Sequence, residues 1–260
     1  MNRKVLTIFI ALCGLATLTG FASVARAQDQ EVKSKPAMLT YVASWQVPRA
    51  NWSDVQKELA VTDPIMAKEL ADGTIVGYGH SKNLVHQPDT MTHDNWWSAM
   101  SMAGVVKTLD QLLGAADSSG PVLPSATAHW DNIYVSHYYN WKSGSFKGGY
   151  LKVGAYKFKE SAPDNALDML AQHLIVPILE KQLANGTIVA YQIGSMAIHT
   201  AAPGTFFVVA VSPTPEGLDT VQKAIGDSVK EHPLGYQAFD DMTDDSGHRD
   251  QLEEGDGTFK

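Results

Sequence analysis

The sequence predicts an α+β protein in which one β-α-β-β-α-β unit occurs twice in tandem. Two observations carry this. Residues 38–80 and 151–193 repeat at a constant offset of 113 without a gap, and the best-matched stretch sets Pro64 to Tyr78 (PIMAKELADGTIVGY) against Pro177 to Tyr191 (PILEKQLANGTIVAY). In each copy, runs rich in aromatic and β-branched residues also alternate in the same order with amphipathic runs of helical period. A duplicated unit of that length sets the architecture ahead of any chemistry.

Copy one opens with Met38–Val47 and copy two with Leu151–Phe158, and both read as strands. Trp52–Ala71 and Pro163–Ala184 follow. Val55, Leu59, Ile65, Met66 and Leu70 recur at three- and four-residue steps, which predicts a helix with one apolar face. Pro64 and Pro177 are expected to kink or split these helices, and Gly73 and Gly186 stand where a left-handed residue closes them. Second strands are predicted at Thr74–Ser81 and Thr187–Ser195, and third strands at Trp96–Met102 and Thr205–Ser212. Second helices fall at Val105–Leu113 and Pro215–Val229, with Pro215 suited to a first turn. His129–Ile133 and Ala238–Met242 read as the last strands.

The expected organisation is a signal peptide at 1–27, an N-terminal linker at 28–36, repeat one at 37–140, a linker at 141–148, repeat two at 149–250 and an acidic tail at 251–260. The loops Ala115–Ala126 and Trp141–Gly149 are rich in Gly, Ser and Pro. From Asp240 onward acids dominate, and the end of the chain is expected to be disordered.

Arg3 and Lys4, an apolar run from Val5 to Leu18, and Ala25-Arg26-Ala27 before Gln28 have the form of a secretory signal, predicting a periplasmic or secreted protein. The apolar run is shorter than the roughly 20 residues a membrane span needs, so no membrane attachment is expected after cleavage. Cys13 is the only cysteine and lies inside this segment. The mature 233 residues then have no disulfide, thiol nucleophile or thiolate metal site. Losing Arg3, Lys4 and Arg26 takes the formal charge from −8 to −11, which argues against a nucleic-acid partner. No Gly-x-Ser-x-Gly elbow, phosphate loop or Gly-x-Gly-x-x-Gly fingerprint occurs, which argues against the common hydrolases and nucleotide-dependent enzymes.

Two regions offer a site. The block from His129 to Trp141 brings imidazole, carboxylate and ring faces together and holds His129, Trp130 and His137; the simpler reading is the last strand of copy one, its aromatics packing the junction between the copies. His137 and His248 are expected to be counterparts in the two copies. Gly77 and Gly79 strip side chains from one strand face where copy two has Ala190 and Gln192. The space left there is either a pocket walled by Tyr41, Trp45, Tyr78, His80, Trp96 and Trp97 or is filled by the tryptophans themselves. His80, His86 and His93 are six and seven residues apart, which fits no helix or strand metal spacing, so no metal site is predicted. The acids of Asp240–Asp250 do not align with a calcium loop.

The element order is the ferredoxin-like one, with helices on one sheet face and the other face open and apolar. With the helix-Gly-Thr-Ile-Val junction and the duplication, the chain resembles the dimeric α/β-barrel superfamily, its two copies closing sheet against sheet into a pseudo-dimeric barrel. The resemblance implies monooxygenases of aromatic substrates and haem-dependent enzymes as relatives, in which His80 or His129 would act as base or ligand. The residues themselves point to binding of a small apolar or aromatic ligand, or a stress-associated role, with no cofactor identified. A third reading is a structural interaction module whose exposed edge strands form a homo-oligomer.

Overall fold

The computed structural model describes residues 33–86, 90–116 and 125–260; the expected signal peptide and most of the expected loop Ala115–Ala126 lie outside them. The chain runs β1 (Met38–Gln46), α1 (Trp52–Ala71), β2 (Gly77–Asn83), β3 (His93–Ala99), α2 (Met102–Ala116) and β4 (Ala128–Trp141). It continues through β5 (Gly144–Lys157), α3 (Ala166–Leu170), a π-helical turn (Ala171–Ile175), α4 (Val176–Asn185), β6 (Ala190–Met196) and β7 (Thr205–Ser212). It ends with α5 (Pro215–Glu231), α6 (Pro233–Met242) and β8 (Arg249–Phe259).

All eight strands form one closed barrel in the order β1-β3-β2-β8-β5-β7-β6-β4, every neighbouring pair antiparallel. The first half contributes β4-β1-β3-β2 and the second β8-β5-β7-β6, joined by the β2·β8 and β4·β6 pairings. A closed barrel has no unpaired edge, so among the described residues no barrel strand offers the edge expected to form oligomers. The helices cover the outer face. Met66 of α1 and Val105 of α2 pack on Tyr41 and Trp97, and Val176 and Leu179 of α4 with Val221 of α5 pack on Ile193 and Ala210.

The duplicated junction folds identically in both copies. Gly73 and Gly186 take φ of 76° and 79°, and Thr74 N–H donates to Glu69 O at 2.9 Å where Thr187 N–H donates to Gln182 O at 3.0 Å. Ile75 and Ile188 then turn fully into the core. Left-handed glycine ends the helix, and the buried isoleucine fixes where the next strand starts.

Several expectations are corrected. Pro64 does not split α1, which is one helix from Trp52 to Ala71; Pro64 and Ala60 are both exposed, so the carbonyl that loses its donor is on the solvent side. Before Pro177 the helix instead widens into the π turn. Ala238–Met242 is the end of α6, not a strand, and the expected acidic tail is β8, hydrogen-bonded to both β2 and β5. Its acids alternate: Glu254 meets Lys82 at 2.8 Å and Asp250 meets Lys152 at 3.6 Å, while Gly255 and Gly257 turn inward. Pairing on both sides overrides the poor strand propensity of Asp, Glu and Gly. The expected linker at 141–148 shrinks to Lys142 and Ser143 between β4 and β5. Leu39 pairs with Val135 and Lys152 with Leu252, which equates Asp131 with His248, so His137 and His248 are not counterparts.

The barrel interior has the apolar lining expected of the inner sheet face, with Val42, Leu151, Val153, Phe207, Val209 and Val211 turned into it, but it also carries a polar band. Thr40, Ser44, Ser81, Asp94, Ser98, Ser136 and Glu253 are all buried, and alternation along each strand turns them inward.

Candidate active site

Alternation on β1 sends Tyr41, Ala43 and Trp45 to the helix side, where Asn95 and Trp97 of β3, Tyr78 of β2 and His129 and Asp131 of β4 join them. With Glu58, Leu59, Asp63 and Met66 of α1 and Leu109 and Leu112 of α2 they enclose a cavity of about 270 Å³. Tyr41 stacks on Trp97 with ring centroids 4.2 Å apart, making one wall aromatic.

At the rim, His129 stacks on Trp45, centroids 3.6 Å apart and planes at 15°. Its Nδ1 donates to the Ser44 carbonyl at 3.0 Å, and Nε2 lies 3.3 Å from Asp131 Oδ1. Tyr41 hydroxyl bonds to Asp131 in turn; burial, then the Asp131 charge, holds that phenol well above its ordinary value. The carbonyl at Nδ1 fixes the tautomer, so a neutral His129 presents its lone pair at Nε2. This is the arrangement a general base needs: an oriented ring beside a carboxylate that stabilises its charged form.

Two buried polar atoms in this pocket have no partner, the Trp45 indole Nε1 and the Glu58 carboxylate Oε2. One is a donor and the other an acceptor, and burial raises the Glu58 pKa. Asp63 is raised as well, by burial first, with His80 lowering and Asp256 raising it. Buried polar groups of this kind call for a partner, which an ordered water or a ligand can supply.

Of the residues the sequence singled out, Tyr41, Trp45, Tyr78, Trp97 and His129 come together here. His80 lies outside the cavity's walls, its Nε2 4.0 Å from Asp256. Trp96 and Trp130 face the barrel lumen instead. His137 is exposed and donates from Nδ1 to the Lys35 carbonyl at 3.0 Å, away from any pocket. The space beside Gly77 and Gly79 is filled: a Cβ on Gly79 would lie 2.6 Å from Trp96 Cζ2, and one on Gly77 2.5 Å from Phe259 Cδ1. Sequence reading missed Glu58 and Asp63, whose polar character in the helix gave no sign that they face the sheet.

The second half has an equivalent cavity of about 400 Å³, with Tyr156, Ile178, Phe239 and His248 among its walls. His248 stacks on Tyr156 at 4.5 Å and its Nε2 faces Asp250 at 3.3 Å. His129 and His248 are the imidazoles lining the two helix-side cavities. His129 Nδ1 is committed to the Ser44 carbonyl and its Nε2 lone pair has the Asp131 carboxylate beside it, and His248 sits exposed at a rim beside Asp250, so neither cavity sets an imidazole nitrogen in the apolar space that haem ligation needs. The residues lining these two cavities do not fit haem. Among the described residues no group of three or more His, Cys, Asp or Glu is placed to hold a metal ion, and no helix is long and apolar enough to cross a membrane.

No family model matches the sequence, and no curated protein matches it. Solved structures do match in fold. A proposed monooxygenase of Fusobacterium nucleatum subsp. nucleatum superposes with a TM-score of 0.64 at 11% identity, covering 87% of this chain and 95% of that one. A proposed monooxygenase of Lactobacillus acidophilus gives 0.57 at 8% identity, covering 84% and 94%. An anthrone oxidase-like protein gives 0.51 at 8% identity, covering 86% and 93%. What is shared with them is the fold, a closed antiparallel barrel with helices on its outer face.

Proposed function

From that barrel fold, we propose that the chain binds a small hydroxylated aromatic molecule in the helix-side cavity of its first half and acts on it as a monooxygenase-like enzyme. The observation that carries this is the pair of unpartnered atoms, Trp45 Nε1 and Glu58 Oε2, inside an aromatic-walled cavity with the His129–Asp131 pair at its mouth. The ring faces of Tyr41 and Trp97 suit a flat substrate, and the two open atoms suit one that both accepts and donates a hydrogen bond. His129 Nε2 takes the acidic proton of the substrate, which in anthrone is the ring C–H or the hydroxyl of its enol tautomer. Dioxygen adds to the ring carbon of the anion, and the peroxide takes the proton back and loses water, so one oxygen atom stays as a ring carbonyl and the other leaves as water. The proposed monooxygenases and the anthrone oxidase-like protein of the same fold support the reaction class by analogy.

In this reading the two halves are tandem ferredoxin-like repeats in which the first has kept the chemistry, and the chain is exported after cleavage behind Ala27. The test is to mix the protein with anthrone in air-saturated buffer and record oxygen uptake and binding heat. Saturable binding with uptake that His129→Gln abolishes supports the reading. Binding without uptake reduces it to a ligand-binding protein, and the absence of both overturns it.

A further inference from the structure

The barrel lumen is a second compartment, divided from the helix-side cavities by the sheet itself. On β1, Thr40, Val42 and Ser44 face it while Tyr41, Ala43 and Trp45 face the other way. It encloses about 290 Å³, at the lower end of the range for small-molecule sites. Val153, Phe207, Val209 and Tyr134 give it an apolar body.

Two carboxyl groups meet in it. Asp94 is 6% exposed and Glu253 is 3% exposed. Ser44 hydroxyl bonds to Asp94, and Ser81 Oγ donates to Glu253 Oε2 at 2.5 Å. Asp94 Oδ1 has no partner, and neither does the indole Nε1 of Trp96, which is 9% exposed and lines the same cavity. Among the described residues no Lys, Arg or His forms an ion pair with either acid; Arg249 lines the lumen, but its Nη1 is committed to the Ser246 and His248 carbonyls. Two acids buried in one compartment without a cation are costly, and without a cationic partner they must retain a proton. Burial, and then the charge of Glu253, drives Asp94 well above the carboxylate range, and burial pushes Glu253 up to about 7.

We propose that the lumen is a binding site for a small primary amine with a compact apolar or aromatic body, its ammonium group donating to Asp94 Oδ1 between the two carboxyl groups and its body packing against Val153, Phe207 and Val209. An ammonium supplies both missing elements, a donor for the open oxygen and a positive charge for the pair. An anionic ligand of the same shape would need both acids neutral, and the one guanidinium lining the lumen, that of Arg249, already donates from Nη1 to the Ser246 and His248 carbonyls. The site is independent of the His129 cavity, so either can fail alone.

The test is calorimetric titration of the full chain at pH 7.5 with 2-phenylethylamine and, separately, with its anionic near-isostere 3-phenylpropionate. The amine binds saturably and the acid at least tenfold more weakly; Asp94→Asn weakens the amine at least tenfold, and His129→Gln leaves it unchanged. No amine binding, equal or tighter binding of the acid, or unchanged amine affinity in Asp94→Asn overturns the proposal. The comparison of amine with acid uses the unaltered chain, so it stands even where a variant does not fold.

Discussion

Trp45 lies flat on His129, ring centroids 3.6 Å apart, and the same imidazole is held on its two nitrogens by the Ser44 carbonyl and Asp131. The ring has little freedom left, so its role and that of its platform separate. His129→Gln keeps the shape and removes the base, and it is expected to lower kcat by roughly 10²–10⁴-fold with KM nearly unchanged. Trp45→Leu removes an aromatic wall and the open indole donor, and it is expected to raise KM. Steady-state oxygen uptake checks the split; a His129→Gln enzyme with unaltered kcat would remove His129 from the chemistry.

Gly79 is where Trp96 lies against the strand. A methyl group there presses on the Asp256 carbonyl oxygen and sits 2.6 Å from Trp96 Cζ2, and neither the β8 backbone nor a 9% exposed indole yields easily. Overpacking of this kind costs about 1–3 kcal/mol. Gly79→Ala is therefore expected to lower Tm by roughly 3–10 °C in a chain of this size. Differential scanning calorimetry decides it, and an unchanged Tm would mean that the strand shifts freely.

The repeat made the helix ends, the junction strands and the order of the first six elements legible, because Gly73, Gly186, Ile75 and Ile188 carry local signals that act through short-range geometry. It also led to five walls of the helix-side cavity, since aromatic residues on alternating positions declare a packed face. What stayed hidden depends on pairing at long range. Asp250, Glu254 and Asp256 look like a solvated tail until Lys152, Lys82 and the Gly148 N–H are opposite them. Asp94 and Glu253 are far apart in sequence, and only closure of the barrel brings them into one compartment. The inward or outward sense of Trp96 against Trp97 is a matter of register, and one residue of slip exchanges them.

β8 closes the barrel by pairing Gly77–Asn83 on one side and most of β5 on the other. Ending the chain at His248 would expose both partner strands along their full lengths, the kind of edge that templates aggregation. The truncated protein is expected to lose cooperative unfolding and to elute as large aggregates in size-exclusion chromatography. A truncated chain that remains monomeric and melts in one transition would show that the remaining strands close without β8.

Two buried groups make stability depend on pH in opposite senses. His93 is 8% exposed, and burial first, then Lys82, His80 and His86, press its pKa from 6.5 down to about 4. The unfolded chain therefore binds more protons between those values, and the contribution, complete above pH 6.5, is lost as pH falls toward 4. Its size is at most about 3 kcal/mol. Glu253 is the reverse case: burial raises it from 4.5 to about 7, so the folded chain holds the extra proton, and the contribution, complete below pH 4.5, is lost as pH rises through 7. Asp94 acts in the same sense as Glu253. Between pH 4.5 and 6.5 the His93 and carboxyl contributions oppose each other, whereas above pH 6.5 only the carboxyl contribution still changes, so Tm, measured from pH 3.5 to 8.5, is expected to fall most steeply as pH rises from 6.5 through 7. Glu253→Gln should flatten the limb toward pH 7 and above, and His93→Gln the limb toward pH 4. If Glu253→Gln leaves the upper limb as steep as in the unaltered protein, the lumen carboxyl groups are not the source of that slope.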